Sequence, residues 1–441
     1  MRSALRLSAS LPLLAFLLLL APGIRAGEEA LEPKPAGAAF ARFAPLAAPA
    51  PGRLLLQTGD RLAICGDSIT EQRMYSRIME TYLAACTPDL RVEVRQYGWS
   101  GETAEGFVRR MTNDCLRFRP TIATTCYGMN DHRYQPYQEE VARWYRTNQT
   151  TIVDAFQAHG ARVVLGSAGC VGKMPGWVKS ATGTVEDLNL NLCELRNLNL
   201  RLAAEQGVAF ADVFWPMFTA GVAGRERCGP DFAIAGKDGV HPDWAGQTVM
   251  AYAFLKALGL DGDLGSVTVD LATGHAEATG GHQVERFAEG ALTVTSRRYP
   301  FCATGPVDQD NSIRAGMALV PFNETLNRFR LVVKGAPAAG CKLAWGGQSR
   351  TYSAAQLAAG VNLAADFPEN PFSEPFAKVD QAVAAKQAYE TRQIKTLFHG
   401  EEGRVNLPAT VALTEQVRKK FADAIPTPLP PVRHTLKIEG L

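Results

Sequence analysis

Residues 65–72 read "CGDSITEQ", directly after the apolar run Leu62, Ala63 and Ile64. Downstream, Met74, Ile78 and Tyr82 recur every four residues, with Met79 and Leu83 widening the stripe, which predicts a helix. The stretch is therefore a strand end opening into a helix, and Ser68 has two readings there. Ser68-Ile69-Thr70-Glu71 fits a capping box, in which the serine and the glutamate three residues on satisfy free N–H groups of the first turn. The same hydroxyl is also placed to attack, provided that a histidine oriented by a carboxylate takes its proton.

Outward from this junction, between about residues 54 and 260, five short apolar runs ("RLAICG", "RVEVRQYG", "TIATTCYG", "ARVVLGS", "VAFADV") alternate with helical patterns. The helices are expected around 70–86, 103–113, 137–158, 185–206 and 243–258. Such alternation predicts an α/β fold, a parallel sheet with helices on both faces. In sheets of this kind functional residues gather on the loops beyond the carboxyl ends of the strands. Three of those loops carry candidates. "KDGVHPDWAGQ" at 237–247 places Asp238 three residues before His241, so the carboxylate can reach one ring nitrogen while the other faces outward. Its plainer reading is an Asp-Gly turn beside an exposed histidine. "YGWSGET" at 97–103 contributes Gly101, and "CYGMND" at 126–131 contributes Asn130, a backbone N–H and a side-chain amide suited to an oxyanion. A turn glycine and a helix cap are the structural alternatives. Among the other histidines only His132 lies in this region away from a helix end.

The blocks "GDSIT", "GWSGET", "GMND" and "DGVHP", in that order, resemble the four sequence blocks of the SGNH hydrolases, also called the GDSL esterase and lipase superfamily. The resemblance spans roughly residues 58–258. It implies a three-layer αβα sandwich of flavodoxin-like type that hydrolyses carboxylic esters through an acyl-serine, with neither metal nor cofactor. It makes Ser68 the nucleophile and first oxyanion donor, Gly101 and Asn130 the other donors, His241 the general base and Asp238 its orienting acid. Tyr97 beside Gln96 stands where many members carry Asn, and Trp99 and His132 are candidates to line the pocket. Asp67 is read as a structural hydrogen-bond acceptor. The expected substrate is a short acyl ester, an acetyl group on polysaccharide. The rivals are a lipase or thioesterase for longer chains, and a non-catalytic carbohydrate-binding or envelope protein on the same fold.

The rest of the chain frames this domain. Arg2 and Arg6 precede "LPLLAFLLLLA", and "GIRA" ends in a small residue before Gly27, the pattern of a secretory signal peptide over residues 1–26. Its apolar core of about ten residues is short for a bilayer span, so cleavage near Ala26 and a secreted or periplasmic protein without membrane insertion are expected. The Ala/Leu-rich leader is of bacterial type. Residues 27–53, rich in Pro and Ala, read as a linker or extended arm, and 54–260 as the catalytic domain. Residues 261–365 carry β-type segments such as "GALTVTSRRYPF" and predict a small antiparallel module. Residues 366–441 predict C-terminal helices, one from Ser373 with Phe376, Val379 and Val383 on one face and another near 411–423, before a polar tail "RHTLKIEGL". Lys and Arg number 46 against 44 Asp and Glu, without a basic run, so no nucleic-acid partner is expected. The 9 cysteines are odd in number. Cys65 and Cys126 read as buried thiols, Cys302 and Cys341 as a candidate pair, and the lack of a CxxC gives a structural zinc no support.

Overall fold

The computed structural model describes residues 29–441, so the expected signal peptide lies outside the described residues. Strand β1 (Arg61–Gly66) leads into a one-turn helix α1 (Ser68–Glu71) and then α2 (Tyr75–Cys86). Next come β2 (Glu93–Gln96), α3 (Ala104–Asp114), β3 (Ile122–Cys126), α4 (Glu139–Ala158), β4 (Arg162–Gly166), α5 (Val185–Gln206), β5 (Ala209–Ala211), α6 (Phe214–Cys228) and α7 (Trp244–Ala257). The five strands are parallel, in the order β2-β1-β3-β4-β5.

Alternate residues of β1 feed different cores, which is what the two-residue period of a strand dictates. Leu62 and Ile64 join Ile78, Met79, Tyr82 and Phe254 of α2 and α7, while Ala63 and Cys65 join Phe107, Ile152 and Phe156 of α3 and α4. Helices therefore cover both faces, and the unit is a three-layer αβα sandwich. The strand order reverses at β1, so the chain segments leaving β1 and β3 part and leave a crevice at their carboxyl ends.

Local rules explain the element boundaries. A capping box of Thr184 and Asp187 starts α5, and Gly207, with φ 63°, ends it. Helix α6 is not among the helices expected from the sequence, and it contains two glycines, Gly221 and Gly224. They serve packing: a Cβ on Gly221 would lie 2.5 Å from Ile234, and one on Gly224 2.5 Å from Phe232. The Pro/Ala-rich segment lies as an arm along α5 and α6, with Phe40 and Phe43 buried against Trp215 and Phe218. Asn197 fixes it by accepting from Leu46 N at 2.9 Å and donating to Ala44 O at 3.0 Å.

Beyond residue 260 stand nine strands: β6 (Asp263–Asp270), β7 (His275–Ala278), β8 (His282–Ala288), β9 (Ala291–Ser296), β10 (Arg328–Lys334), β11 (Cys341–Trp345), β12 (Gln348–Tyr352), β13 (Val361–Asn362) and β14 (Val432–Gly440). They form two sheets, β13-β10-β6-β7 and β12-β11-β14-β9-β8. The second is antiparallel, as expected of the module, but in the first β6 and β10 pair in parallel, which corrects that expectation there. The segment read as a polar tail is a second correction. It is β14, in the middle of its sheet, because His434, Leu436 and Ile438 alternate inward while Arg433, Thr435 and Lys437 face water. Helix α8 (Ser373–Arg392) widens into a π-helical turn (Gln393–Phe398), and α9 (Glu401–Asp423) follows, longer than expected and kinked at Asn406 just before Pro408. All nine cysteines are free thiols, Cys302 and Cys341 included.

Inside the larger sheet a buried polar chain is fixed proton by proton. Trp345 Nε1 can only donate, so His434 Nδ1 accepts, at 3.1 Å, and His434 Nε2–H donates to Ser296 Oγ at 3.0 Å. The Ser296 hydroxyl then donates to His282 Nδ1 at 2.7 Å, and His282 Nε2–H to Leu264 O at 2.8 Å. Both imidazoles are neutral in this arrangement.

Candidate active site

Ser68 sits at the carboxyl end of β1 as the first residue of α1, and the cap is its neighbour. Asp67 accepts from Ile69 N at 2.9 Å, so the expected box of Ser68 and Glu71 does not form. The Ser68 side chain is left free of the helix and meets His241 instead, with Oγ 2.8 Å from Nε2. Glu71 turns outward to accept from Ser100 N at 2.5 Å and from Lys395 Nζ at 2.8 Å.

Asp238 and His241 occupy the loop before α7. Asp238 Oδ1 accepts from the backbone N–H groups of Val240 and His241 at 2.9 and 2.8 Å, which fixes the carboxylate, and Oδ2 lies 2.7 Å from His241 Nδ1. Burial pushes the Asp238 carboxyl up, but these hydrogen bonds and the His241 ring outweigh it and hold it below its ordinary value. An ionised carboxylate only accepts, so Nδ1 carries the proton, and in the neutral ring the Nε2 lone pair then faces the Ser68 hydroxyl. Such an arrangement can withdraw a proton from a hydroxyl and steady the imidazolium that results.

The second and third loops are stitched to the first. Tyr97 N donates to Ile64 O at 2.7 Å and Trp99 N to Gly66 O at 3.1 Å, while Gly98 lies so close to α1 that a Cβ would come within 2.2 Å of Glu71 N. Gly101 is exposed with φ 73°, a left-handed conformation that favours glycine. Asn130 donates from Nδ2 to Glu102 O at 3.0 Å and accepts from Tyr134 OH at 3.2 Å, so one amide hydrogen is fixed and the second remains to donate. Among the described residues neither Ser68 N–H nor Gly101 N–H has an acceptor. Asp131 binds Ala104 N at 2.8 Å and Gly128 N at 2.9 Å, joining the two loops. Burial raises the carboxyls of Asp67 and Asp131 to about 7.

Beneath the loops, the buried Arg110 grips Glu102 through two hydrogen bonds of 2.6 and 2.7 Å and also donates to Tyr97 O at 2.6 Å. Trp99 is half-buried, edge-on to His399 at 5.0 Å and flanked by the cations of Arg110 and Lys395. His132 is buried, its Nδ1 2.5 Å from Met129 O and its ring 4.7 Å from that of Tyr134, and burial lowers its titration to about 4. Two groups of residues escaped the sequence reading. Trp177, on the loop after β4, stacks on His241 with ring centroids 5.8 Å apart. Lys395 and His399 reach the site from the C-terminal region. An aromatic residue in the polar "KMPGWVKS" at a strand's carboxyl end was the signal available for Trp177; nothing local marked the other two.

Residues 64–249 match the sequence profile of the GDSL-like lipase/acylhydrolase family. No curated protein sequence matches the chain. Among solved structures, a gut microbial diltiazem-metabolizing enzyme is 21% identical, covering 88% of this chain and 100% of its own at a TM-score of 0.68. That likeness extends the shared fold well beyond the parallel sheet. An alpha/beta hydrolase, LAE5, from the metagenome of Lake Arreo, Spain, is 21% identical over 47% of this chain and 98% of its own, with a TM-score of 0.38. The acetylxylan esterase Axe2 from Geobacillus stearothermophilus is 21% identical over 47% and 97%, with a TM-score of 0.39.

Proposed function

We propose that the chain is a carboxylic ester hydrolase of the GDSL-like lipase/acylhydrolase kind, whose profile residues 64–249 match, that it is exported, and that it removes acetyl groups from carbohydrate. The observation that carries the catalytic part is the unbroken line from Asp238 Oδ2 through the His241 ring to Ser68 Oγ, 2.7 and 2.8 Å.

On this reading His241 Nε2 takes the hydroxyl proton as Ser68 Oγ bonds to the ester carbonyl carbon. The carbonyl oxygen, now negative, receives N–H groups from Ser68, Gly101 and Asn130; in such sites each donor is worth about a hundredfold to a thousandfold in rate. When the oxyanion collapses, the bond to the alcohol oxygen breaks and that oxygen leaves with the proton from His241. Water then gives a proton to His241 and attacks the acyl-serine, and Ser68 recovers its proton as the carboxylic acid departs. Asp238 stays ionised throughout and keeps the imidazole in its tautomer.

Export is supported by the leader pattern of residues 1–26. A carbohydrate alcohol is supported by the open rim of the site, where Gly101 and Trp177 are exposed and Ser68 is half-buried, which leaves room for a bulky polar group. The test is a substrate series for the wild-type protein and Ser68→Ala: 4-nitrophenyl acetate, its longer acyl homologues and acetylated xylan. Acetate release from xylan that Ser68→Ala loses is the expected result. Preference for long acyl chains overturns the acetyl assignment, and a protein inert on every ester overturns the hydrolase itself.

A further inference from the structure

Trp177 has no place in the catalytic cycle as described, yet it is built into the site. The residue is 51% exposed, and its ring lies over the His241 imidazole at 5.8 Å with an interplanar angle of 29°. The supporting loop, residues 172–183, is anchored at both ends to the active-site loops. Gly172 N donates to Gly239 O at 2.8 Å, within the turn that carries Asp238 and His241, and Thr182 N donates to Tyr134 O at 3.0 Å, just beyond Asn130. Between the anchors the chain folds back on itself, with Val178 N bonded to Pro175 O at 3.1 Å and Ala181 N to Val178 O at 3.0 Å. The indole is thus held against the histidine by the backbone while its rim meets water.

The reaction decides which part of a substrate this ring can touch. In acylation the leaving oxygen must take its proton from His241 Nε2, so the alcohol portion departs alongside the imidazole. On the same reading the acyl carbonyl oxygen belongs to the N–H groups of Ser68, Gly101 and Asn130. A group stacked on His241 therefore borders the alcohol. A flat indole offers a surface for the C–H face of a sugar ring, and the same loop carries the exposed Lys173 and Lys179. No acidic residue lies between 172 and 183.

We propose that Trp177 is the wall of an alcohol-side subsite that takes a sugar ring, and that it sets selectivity for the alcohol rather than for the acyl group. The proposal rests on the ester-hydrolase reading and names its substrate more closely. Two esters sharing one acyl group test it, acetylated methyl xyloside and ethyl acetate, hydrolysed by the wild-type protein, Trp177→Ala and Trp177→Phe. The ratio of kcat/KM for the xyloside to that for ethyl acetate should fall about tenfold in Trp177→Ala, mainly through KM, and be partly restored in Trp177→Phe. A ratio that stays constant, whether both rates fall together or neither falls, overturns the subsite and leaves the hydrolase standing. A wild-type protein inert on both esters overturns the hydrolase reading and the subsite with it.

Discussion

Replacing Arg110 by methionine removes the cation beneath the second loop while keeping most of the side chain's length. Its guanidinium is 7% exposed and Glu102 5%, so the variant strands a carboxylate in the interior. Breaking one side of such a pair costs about 3–5 kcal/mol. Burial already raises the Glu102 carboxyl, opposed by Arg110, and without that opposition it rises further. A carboxyl raised in the folded state contributes stability that is full below its unfolded pKa and lost as pH rises through the folded value. Arg110→Met should therefore lose more stability at pH 8 than at pH 5, readable in urea unfolding followed by tryptophan fluorescence. Activity should fall as well, because Glu102 O orients the Asn130 amide and Glu102 follows Gly101 directly. A displacement of that loop is worth about tenfold to a hundredfold in kcat. The double variant Arg110→Met, Glu102→Gln removes the Arg110–Glu102 pair, leaves Asp114 to His399, and should regain more than half of the lost stability. A single variant with an unchanged urea midpoint and full activity, or a double variant as unstable as the sum of the two singles, would refute this reasoning.

Further outcomes follow from other contacts. Lys395→Met should lower kcat on 4-nitrophenyl acetate about tenfold through the Glu71–Ser100 link, with KM little changed and Lys395→Arg restoring most of the rate; equal loss in both variants would count against a positioning role. Burial lowers His282 and His434 to about 4, so the stability they confer, present above about pH 6.5, is lost between there and pH 4 at about 3 kcal/mol each. The raised carboxyls of Asp67 and Asp131 act oppositely in the same window, so hydrogen exchange at pH 4.5 should show β9 and β14 losing protection while β1 and β3 keep theirs. Uniform loss across both sheets would contradict this. A thiol reagent should titrate all nine cysteines in denaturant but in the native protein react first with Cys228, the one that is not buried. Because Asp67 caps α1, Ser68→Ala should change stability by less than about 0.5 kcal/mol in thermal unfolding, whereas a true serine cap would cost about 1 kcal/mol.

The parallel sheet and the contact of Ser68, His241 and Asp238 were legible because both follow local rules. Apolar runs and helical periodicity placed β1 to β5 with helices α2 to α5 and α7, and short motifs at strand ends pointed to Ser68, Gly101, Asn130, Asp238 and His241. What escaped depends on contacts between distant segments. The capping pattern at 68–71 was equally compatible with Asp67, and Glu71 was drawn away by Lys395, more than 300 residues on. The glycines of α6 are required by Phe232 and Ile234, which only the folded chain brings near. Strand β14 alternates correctly, but its charged outward residues concealed it at the end of the chain. His399 meets Trp99 and Asp114 through a π-helical turn that has no sequence signature.

The central claim is that Ser68 carries the acyl group, and trapping that intermediate tests it most directly. The protein is mixed with excess 4-nitrophenyl acetate, quenched in acid within the first turnovers, and mapped by peptide mass spectrometry. The account predicts a burst of nitrophenolate and one added acetyl group on the peptide containing Ser68, with burst and adduct both absent from Ser68→Ala. An acetyl group on another residue, or full turnover by Ser68→Ala, would contradict it.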